Sequence, residues 1–140
     1  RTMMGETPEK ALEFSYTFEP RLAAFGANCG AGPAMLIDTL VRLCDAAKEE
    51  DIIISKGNCG IPQMIDGEIV YSGTNKVMAD YARLARDCGS KIIGGCCGTT
   101  PERLRAIVNA LDHYEPKAAP SQNDIEEALG PIKVPSQGSE

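Results

Sequence analysis

Two adjacent cysteines, Cys96 and Cys97, stand within a run of glycines at the end of an apolar segment. Neighbouring side chains in a strand point to opposite faces, so two adjacent thiolates can share one metal ion only where the backbone turns. Gly94, Gly95 and Gly98 allow such a turn at little steric cost. The sequence therefore predicts that the pair supplies two ligands to a single metal ion.

A third thiolate is predicted to come from Cys29, which ends another apolar segment two strand–helix units earlier. Three thiolates give Zn²⁺ a tetrahedral site with one open position, which is typical of catalytic rather than structural zinc. A substrate thiol would bind there as a thiolate, because a metal ion stabilises this anion at neutral pH. The electron-rich sulfur shell keeps the bound sulfur nucleophilic, which favours attack on a methyl carbon.

Other residues near the predicted strand ends have alternative roles. Asn28 and Asn58 could aim their amides into the site and hold a substrate amino or carboxylate group, or each amide could tie down its own turn. Cys59 could be a fourth or exchangeable ligand, but a residue in this place more often fills space. His113, the only histidine, follows the last helix and is predicted to be an exposed cap.

Two alternative uses of the cysteines are weaker. A disulfide scaffold is typical of small exported domains with poor cores, whereas 43% of this chain is hydrophobic. Reduced thiols are therefore favoured, with Cys44 and Cys88 filling apolar helix faces. A redox role for the pair at 96 and 97 is the second hypothesis. Reactive pairs usually have two residues between them at a helix N-terminus, which this pair does not.

Three strand–helix units position these residues. Apolar runs predict strands over 22–29, 51–58 and 91–98, and the periodicity predicts a first helix over 34–49. The loop 61–73 carries the turn pair Asp66-Gly67 and predicts a hairpin. Thr74 and Thr100 are predicted N-caps of the two later helices, and Gly89 is the predicted C′ residue between them. The apolar stripe of the last helix consists of Leu104, Ile107, Val108 and Leu111.

This alternation predicts a parallel sheet covered by helices. An open doubly wound sheet or a (β/α)8 barrel would fit. The barrel is favoured because all three strands carry Cys or Asn at their carboxyl ends, where barrel enzymes keep their chemistry. A full barrel needs roughly 250 residues, so we expect about half of it to lie outside this chain.

The two ends of the chain differ in composition from the middle. Residues 2–16 are predicted to be the end of a loop and a helix that starts at Thr7. Residues 115–140 form a Pro-, Ser- and Gln-rich tail with one short helix, 123–129, capped by Ser121 together with Asp124. We expect residues 1–114 to form the barrel part and the tail to lie on another surface rather than in a core.

The net charge of −6 and the pI near 4.8 argue against a nucleic-acid partner, whose phosphates are bound by Lys and Arg. No apolar stretch approaches the roughly 18 residues of a membrane span. The amino terminus lacks the pattern of a signal peptide, so we expect a cytoplasmic location. The chain begins with Arg1 rather than Met, so we expect that its natural start has been lost.

Residues 26–30 (GANCG) and 94–101 (GGCCGTTP) resemble the homocysteine S-methyltransferase family. That family includes the betaine-homocysteine methyltransferases and the homocysteine domain of cobalamin-dependent methionine synthase. Residues 55–62 (SKGNCGIP) are similar to its seventh-strand segment, which usually has Ala where Cys59 stands. Residues 2–5 are similar to the loop after the fifth strand, and residues 66–68 and 71–74 are most similar to bacterial betaine-homocysteine methyltransferases. The resemblance covers about residues 1–113.

The resemblance implies strands six to eight of a (β/α)8 barrel, with Cys29, Cys96 and Cys97 as zinc ligands. Homocysteine would take the fourth zinc position and be methylated to methionine. Betaine or a related onium compound is the favoured donor, and S-methylmethionine or a methylcorrinoid partner is the alternative. Further implied partners are the missing N-terminal half of the barrel and a second copy of the chain, contacted through residues 115–140. A non-catalytic fragment is the third hypothesis.

Overall fold

Residues 6–132 are described by a computed structural model, in which three parallel strands carry the cysteines at one edge. The predictions for residues 2–5 and for 133–140 lie outside this range. The elements in chain order are α1 (Pro8–Ser15), β1 (Phe25–Asn28), α2 (Pro33–Ala46), β2 (Ile53–Gly57), β3 (Pro62–Ile65), β4 (Glu68–Tyr71), α3 (Asn75–Cys88), β5 (Ile92–Gly95), α4 (Pro101–Leu111) and α5 (Gln122–Leu129).

The sheet has the order β1–β2–β5, and both neighbouring pairs are parallel. Asn28 lies beside Lys56, and Lys56 lies beside Gly94, so the carboxyl ends of the three strands share one edge. The predicted α/β class and parallel sheet are confirmed, and the arrangement is compatible with part of a barrel. The strands are shorter than predicted. The prediction followed runs of apolar residues, and these runs extend beyond the residues that pair in the sheet.

Helices α2, α3 and α4 cover one face of the sheet. The predicted caps are confirmed: Thr74 and Thr100 each accept a hydrogen bond from a backbone N–H of the first turn, and Gly89 has the left-handed conformation. The centre of the core consists of hydrophobic residues with at most 1% of their surface exposed, namely Ile37, Leu40, Met78, Tyr81, Ala82, Ala85, Ile107 and Ile125.

The opposite face of the sheet is open in the described structure. Burial alternates along β2, so that Ile53, Ser55 and Gly57 face the helices while Ile54 and Lys56 face away from them.

The predicted apolar stripe of α4 is only partly buried. Ile107 is in the core, but Leu104 and Val108 are exposed, because in residues 6–132 no further element packs beside α4 on that side.

The predicted hairpin is confirmed as β3 and β4, joined at Asp66-Gly67. Both turn residues have positive φ, at 50° and 80°, as a type I′ turn requires. The hairpin stands away from the core, and its Met64 and Ile69 side chains are exposed.

The tail segment was expected to lie apart from the core, and this was wrong for α5. Ser121 and Asp124 form the predicted capping box. Ile125, however, is 1% exposed and packs with Leu129 against the core, where α5 contacts α2 and α3. The polar composition of the tail concealed one apolar i,i+4 pair, which is enough to dock a two-turn helix.

Within residues 6–132, no helix combines the length and apolarity needed to cross a bilayer.

Tyr81 of α3 holds the sheet beneath the cysteines. Its ring packs where Gly57 has no side chain, since a Cβ there would lie 2.9 Å from the ring. Its hydroxyl lies 2.5 Å from Ser55 Oγ and donates to Gly94 O at 3.3 Å. Burial raises the pKa of Tyr81 to about 12, so the phenol stays protonated as this network requires.

We expect Tyr81→Phe to lower the free energy of unfolding by about 1–3 kcal/mol, because the buried Ser55 hydroxyl loses its partner. Urea unfolding of Tyr81→Phe, Ser55→Ala and the double variant measures the effect. The double variant should cost less than the sum of the two single costs, since it leaves neither hydroxyl without the other. Additive costs would contradict the hydroxyl pair.

Candidate metal centre

The sulfur atoms of Cys29, Cys96 and Cys97 converge at the carboxyl edge of the sheet. Cys29 Sγ lies 3.5 Å from Cys97 Sγ, Cys96 Sγ lies 4.0 Å from Cys97 Sγ, and all three atoms lie within 4.8 Å of one another. A tetrahedral zinc site with Zn–S bonds of about 2.3 Å separates its sulfurs by about 3.8 Å. The donor set and its spacing therefore fit Zn²⁺. In residues 6–132 this is the one cluster of three or more potential side-chain ligands.

Cys29 reaches the site through a left-handed backbone conformation. Its φ is 65°, and Gly30 follows with φ of 83°. Its N–H still donates to Lys56 O at 3.0 Å, so the chain leaves the sheet at this residue. A non-glycine residue in this conformation costs of order 1 kcal/mol, and such strain is often found at functional sites.

The pair at 96 and 97 occupies the predicted turn. Cys96 N–H donates to Gly57 O at 2.8 Å, and Thr99 N–H donates back to Cys96 O at 3.1 Å. Gly98 completes the turn with φ of 75°. The turn brings both sulfurs to the same side, which a continuing strand would not do.

Asn58 links the loops that carry the sulfurs. Its Nδ2 donates to Gly30 O at 3.0 Å, and its Oδ1 accepts from Cys97 N–H at 3.2 Å. The residue is only 2% exposed. Both ends of this amide are thus used within the protein, in a cross-link between the β1 and β5 loops that sequence reasoning did not anticipate.

Asn28 contacts one of the sulfurs directly. Its Nδ2 donates to Cys96 Sγ at 3.7 Å, and the residue is exposed at the edge of the site. Burial opposes ionisation of Cys96, but the hydrogen bonds from Asn28 and Cys29 outweigh it and lower the pKa of the Cys96 thiol. Hydrogen bonding to Cys96 and then to Cys97 raises the pKa of Cys29. The Cys96 thiol therefore ionises more readily than the Cys29 thiol.

Tyr71, at the end of β4, is a site residue that sequence reasoning missed. A Cβ on Gly98 would lie 2.5 Å from its ring, so the ring covers the glycine that follows the cysteine pair. Hydrogen bonding with Cys97 raises the pKa of Tyr71. The hairpin is held in place by Gly73 N–H, which donates to Cys59 O at 2.9 Å. Tyr71 is the one aromatic residue among positions 62–71 of the hairpin, and this was the available signal.

The side chains of the remaining candidates do not belong to the sulfur cluster. All six cysteines are free. Cys59 is buried in the core and is not one of the clustered ligands. Burial raises the pKa of Cys44 to about 11 and that of Cys88 to about 12, so both are protonated packing residues at neutral pH. His113 is exposed beyond α4, with Nε2 3.6 Å from Asp112 Oδ1.

The parallel sheet has helices on one face and three free thiols at the carboxyl ends of its strands. The protein is therefore an α/β protein with a candidate thiolate metal centre. Within this class, residues 1–111 match the homocysteine S-methyltransferase family. The match covers most of the chain, and the protein therefore belongs to this family. It includes both loops that carry the three sulfurs and ends at α4, before α5 begins.

We expect Asn58→Ala to weaken zinc binding by about 10- to 100-fold, because the Cys97 loop is no longer tied to Gly30. Competition with a chromogenic chelator measures the affinity, and circular dichroism reports whether the variant folds. Asn75→Ala is the matched control, since Asn75 bonds Arg103 at an exposed helix start. Equal zinc affinity in a folded Asn58→Ala protein would refute the cross-link as a determinant of the site.

Proposed function

We propose that this protein is a zinc-dependent homocysteine S-methyltransferase that forms methionine from homocysteine. The observation that carries the proposal is the convergence of three sulfurs, from two strand ends, at distances that suit one tetrahedral ion. Family membership supports homocysteine as the methyl acceptor. Cys29, Cys96 and Cys97 are the proposed ligands.

Zinc, when bound by three thiolates, would supply Lewis-acid stabilisation of a substrate thiolate at a fourth position. The residues of the chain prepare the site for this. Asn28 donates to Cys96 Sγ and orients it, and the Asn58 amide fixes the distance between the loops. Tyr71 hydrogen-bonds with Cys97, and its ring lies against Gly98, so the hairpin contacts the loop that carries the cysteine pair. We therefore assign Asn28 and Asn58 as positioning residues rather than as direct substrate ligands.

The favoured methyl donor is betaine or a related onium compound. Zn²⁺ with three thiolates has a net charge of −1, which attracts the positively charged onium group of such a donor at short range. S-methylmethionine shares this cationic character, whereas a methylcorrinoid would have to be brought by a partner protein or domain. The residues that select the methyl donor therefore lie outside the sulfur cluster. An activity assay with betaine, S-methylmethionine and a methylcorrinoid distinguishes the three donor classes.

We further propose that β1, β2 and β5 are strands six to eight of a (β/α)8 barrel. Strands β1 and β5 are edges of the described sheet, and edges invite pairing. Large apolar side chains are exposed near both edges, and such surfaces are usually covered. They are Phe14 and Phe18 on the β1 side and Ile92, Leu104 and Val108 on the β5 side. The partner that fits both edges is the remainder of the barrel.

Zinc content and methionine formation test the function. We expect about one zinc per chain, and activity with one of betaine, S-methylmethionine or a methylcorrinoid offered in turn. Cys97→Ala should lose both zinc and activity, because two thiolates bind zinc far more weakly than three. Cys44→Ala is the control, since Cys44 lies away from the cluster. A zinc-free protein in which Cys96 and Cys97 cycle between thiol and disulfide would overturn the proposal in favour of a redox role.

We expect residues 1–140 alone to self-associate, because the two open edges and the apolar α4 surface have no cover within the described chain. Sedimentation over a range of concentrations measures this. Leu104→Lys with Val108→Lys should reduce association, and Asp112→Lys should not, since Asp112 is already polar and exposed. A monomeric chain that unfolds cooperatively would show the expectation to be wrong.

A further inference from the structure

Lys56 is the charged residue on the open face of the sheet. The positions of β1, β2 and β5 that point away from the helices are Gly26, Asn28, Ile54, Lys56, Ile92 and Gly94. Five of these six residues are glycine, isoleucine or an amide, and only Lys56 has a formal charge. No acidic side chain pairs with it within residues 6–132. This face therefore presents one uncompensated positive charge.

The position of Lys56 in the register brings it beside the candidate metal centre. It pairs with Asn28, whose amide contacts Cys96 Sγ at 3.7 Å, and its own carbonyl accepts the Cys29 N–H at 3.0 Å. On its other side it pairs with Gly94, two residues before Cys96. The two strands that flank Lys56 are thus the two that bear the three sulfurs.

Gly94 gives the lysine side chain room to cross the sheet. A Cβ at Gly94 would lie 4.0 Å from Lys56 Cγ, so the stem already lies beside the place where this glycine has no side chain. A lysine stem is long and flexible, and its ammonium group has three donors that suit a carboxylate. Packing alone does not require a lysine at this position. Ile54, two residues earlier on the same face of β2, is apolar.

We propose that Lys56 binds the carboxylate of a reactant seated at the thiolate centre, an inference that rests on the proposed function. Both proposed reactants of the reaction have such a group, namely the α-carboxylate of homocysteine and the carboxylate of a betaine-type donor. If homocysteine binds at the cluster through its sulfur, its carboxylate lies a few ångströms from that sulfur. The Lys56 side chain is long enough to reach it. A charge-assisted bond here fixes the orientation of that reactant.

Thiol binding to the Co²⁺-loaded protein tests the homocysteine arm without any turnover, because thiolate ligation changes the cobalt charge-transfer spectrum. Homocysteine is compared with 3-aminopropane-1-thiol, which has the same thiol and amine but no carboxylate. We expect the wild type to prefer homocysteine by about tenfold or more. Lys56→Met should abolish this preference and Lys56→Arg should restore it. Added salt should reduce the preference in the wild type and in Lys56→Arg.

The donor arm is read from steady-state kinetics with betaine. If Lys56 binds the donor carboxylate, Lys56→Met raises KM for betaine about tenfold, while the spectroscopic preference for homocysteine is unchanged. Lys91→Met is the matched control, since Lys91 precedes β5 at the opposite end of the sheet and contacts Glu49 O. This control should alter neither measurement.

The outcomes separate this inference from the proposed function. If thiols perturb the cobalt spectrum but Lys56→Met changes neither the homocysteine preference nor the KM for betaine, the role of Lys56 is refuted and the proposed function stands. If no thiol perturbs the spectrum of a metal-loaded, folded protein, the proposed function fails, and the inference fails with it.

Discussion

The parallel register of β1, β2 and β5 is the constraint on which the candidate site depends. It aligns the carboxyl ends of the three strands, so that Cys29 leaves the sheet opposite the turn that holds Cys96 and Cys97. A shift by one residue would turn Asn28 and Lys56 towards the helices and separate the sulfurs. Tyr81 protects this register from below, because its hydroxyl joins Ser55 of the central strand to Gly94 of the outer one.

Register alone places the strand ends, and local backbone geometry then brings the sulfurs together. The left-handed conformation of Cys29 and the turn closed by Gly98 aim the side chains at one point. Strained or glycine-dependent conformations of this kind persist only where neighbouring contacts hold them. Asn58 provides such contacts, since one buried amide bonds both loops. The same arrangement makes the cluster electrostatically uneven before any metal binds, with the pKa of Cys96 lowered and that of Cys29 raised.

The two faces of the sheet have different physical roles. The face towards α2, α3 and α4 is closed by a continuous apolar core, to which α5 adds Ile125. Within residues 6–132 the other face is open, lined by glycine, isoleucine and Asn28 around Lys56, and bordered by the outer edges of β1 and β5. A surface that is both apolar and edge-exposed is stable only when covered. The residues that complete the substrate site are therefore expected on whatever covers it, which in the proposed barrel is the set of earlier strands.

The sequence by itself determined the α/β class, the caps at Thr74 and Thr100, the Asp66-Gly67 hairpin and the three cysteines, because each of these depends on residues near one another in the chain. Motif resemblance named the family, which the match over residues 1–111 supports. Only the tertiary structure decided what depends on contacts between distant segments. It assigned Asn58 to a cross-link, brought Tyr71 over Gly98, docked α5 in the core and left Lys56 on the open face beside the sulfurs. These features arise from packing and register, which composition and periodicity do not encode one segment at a time.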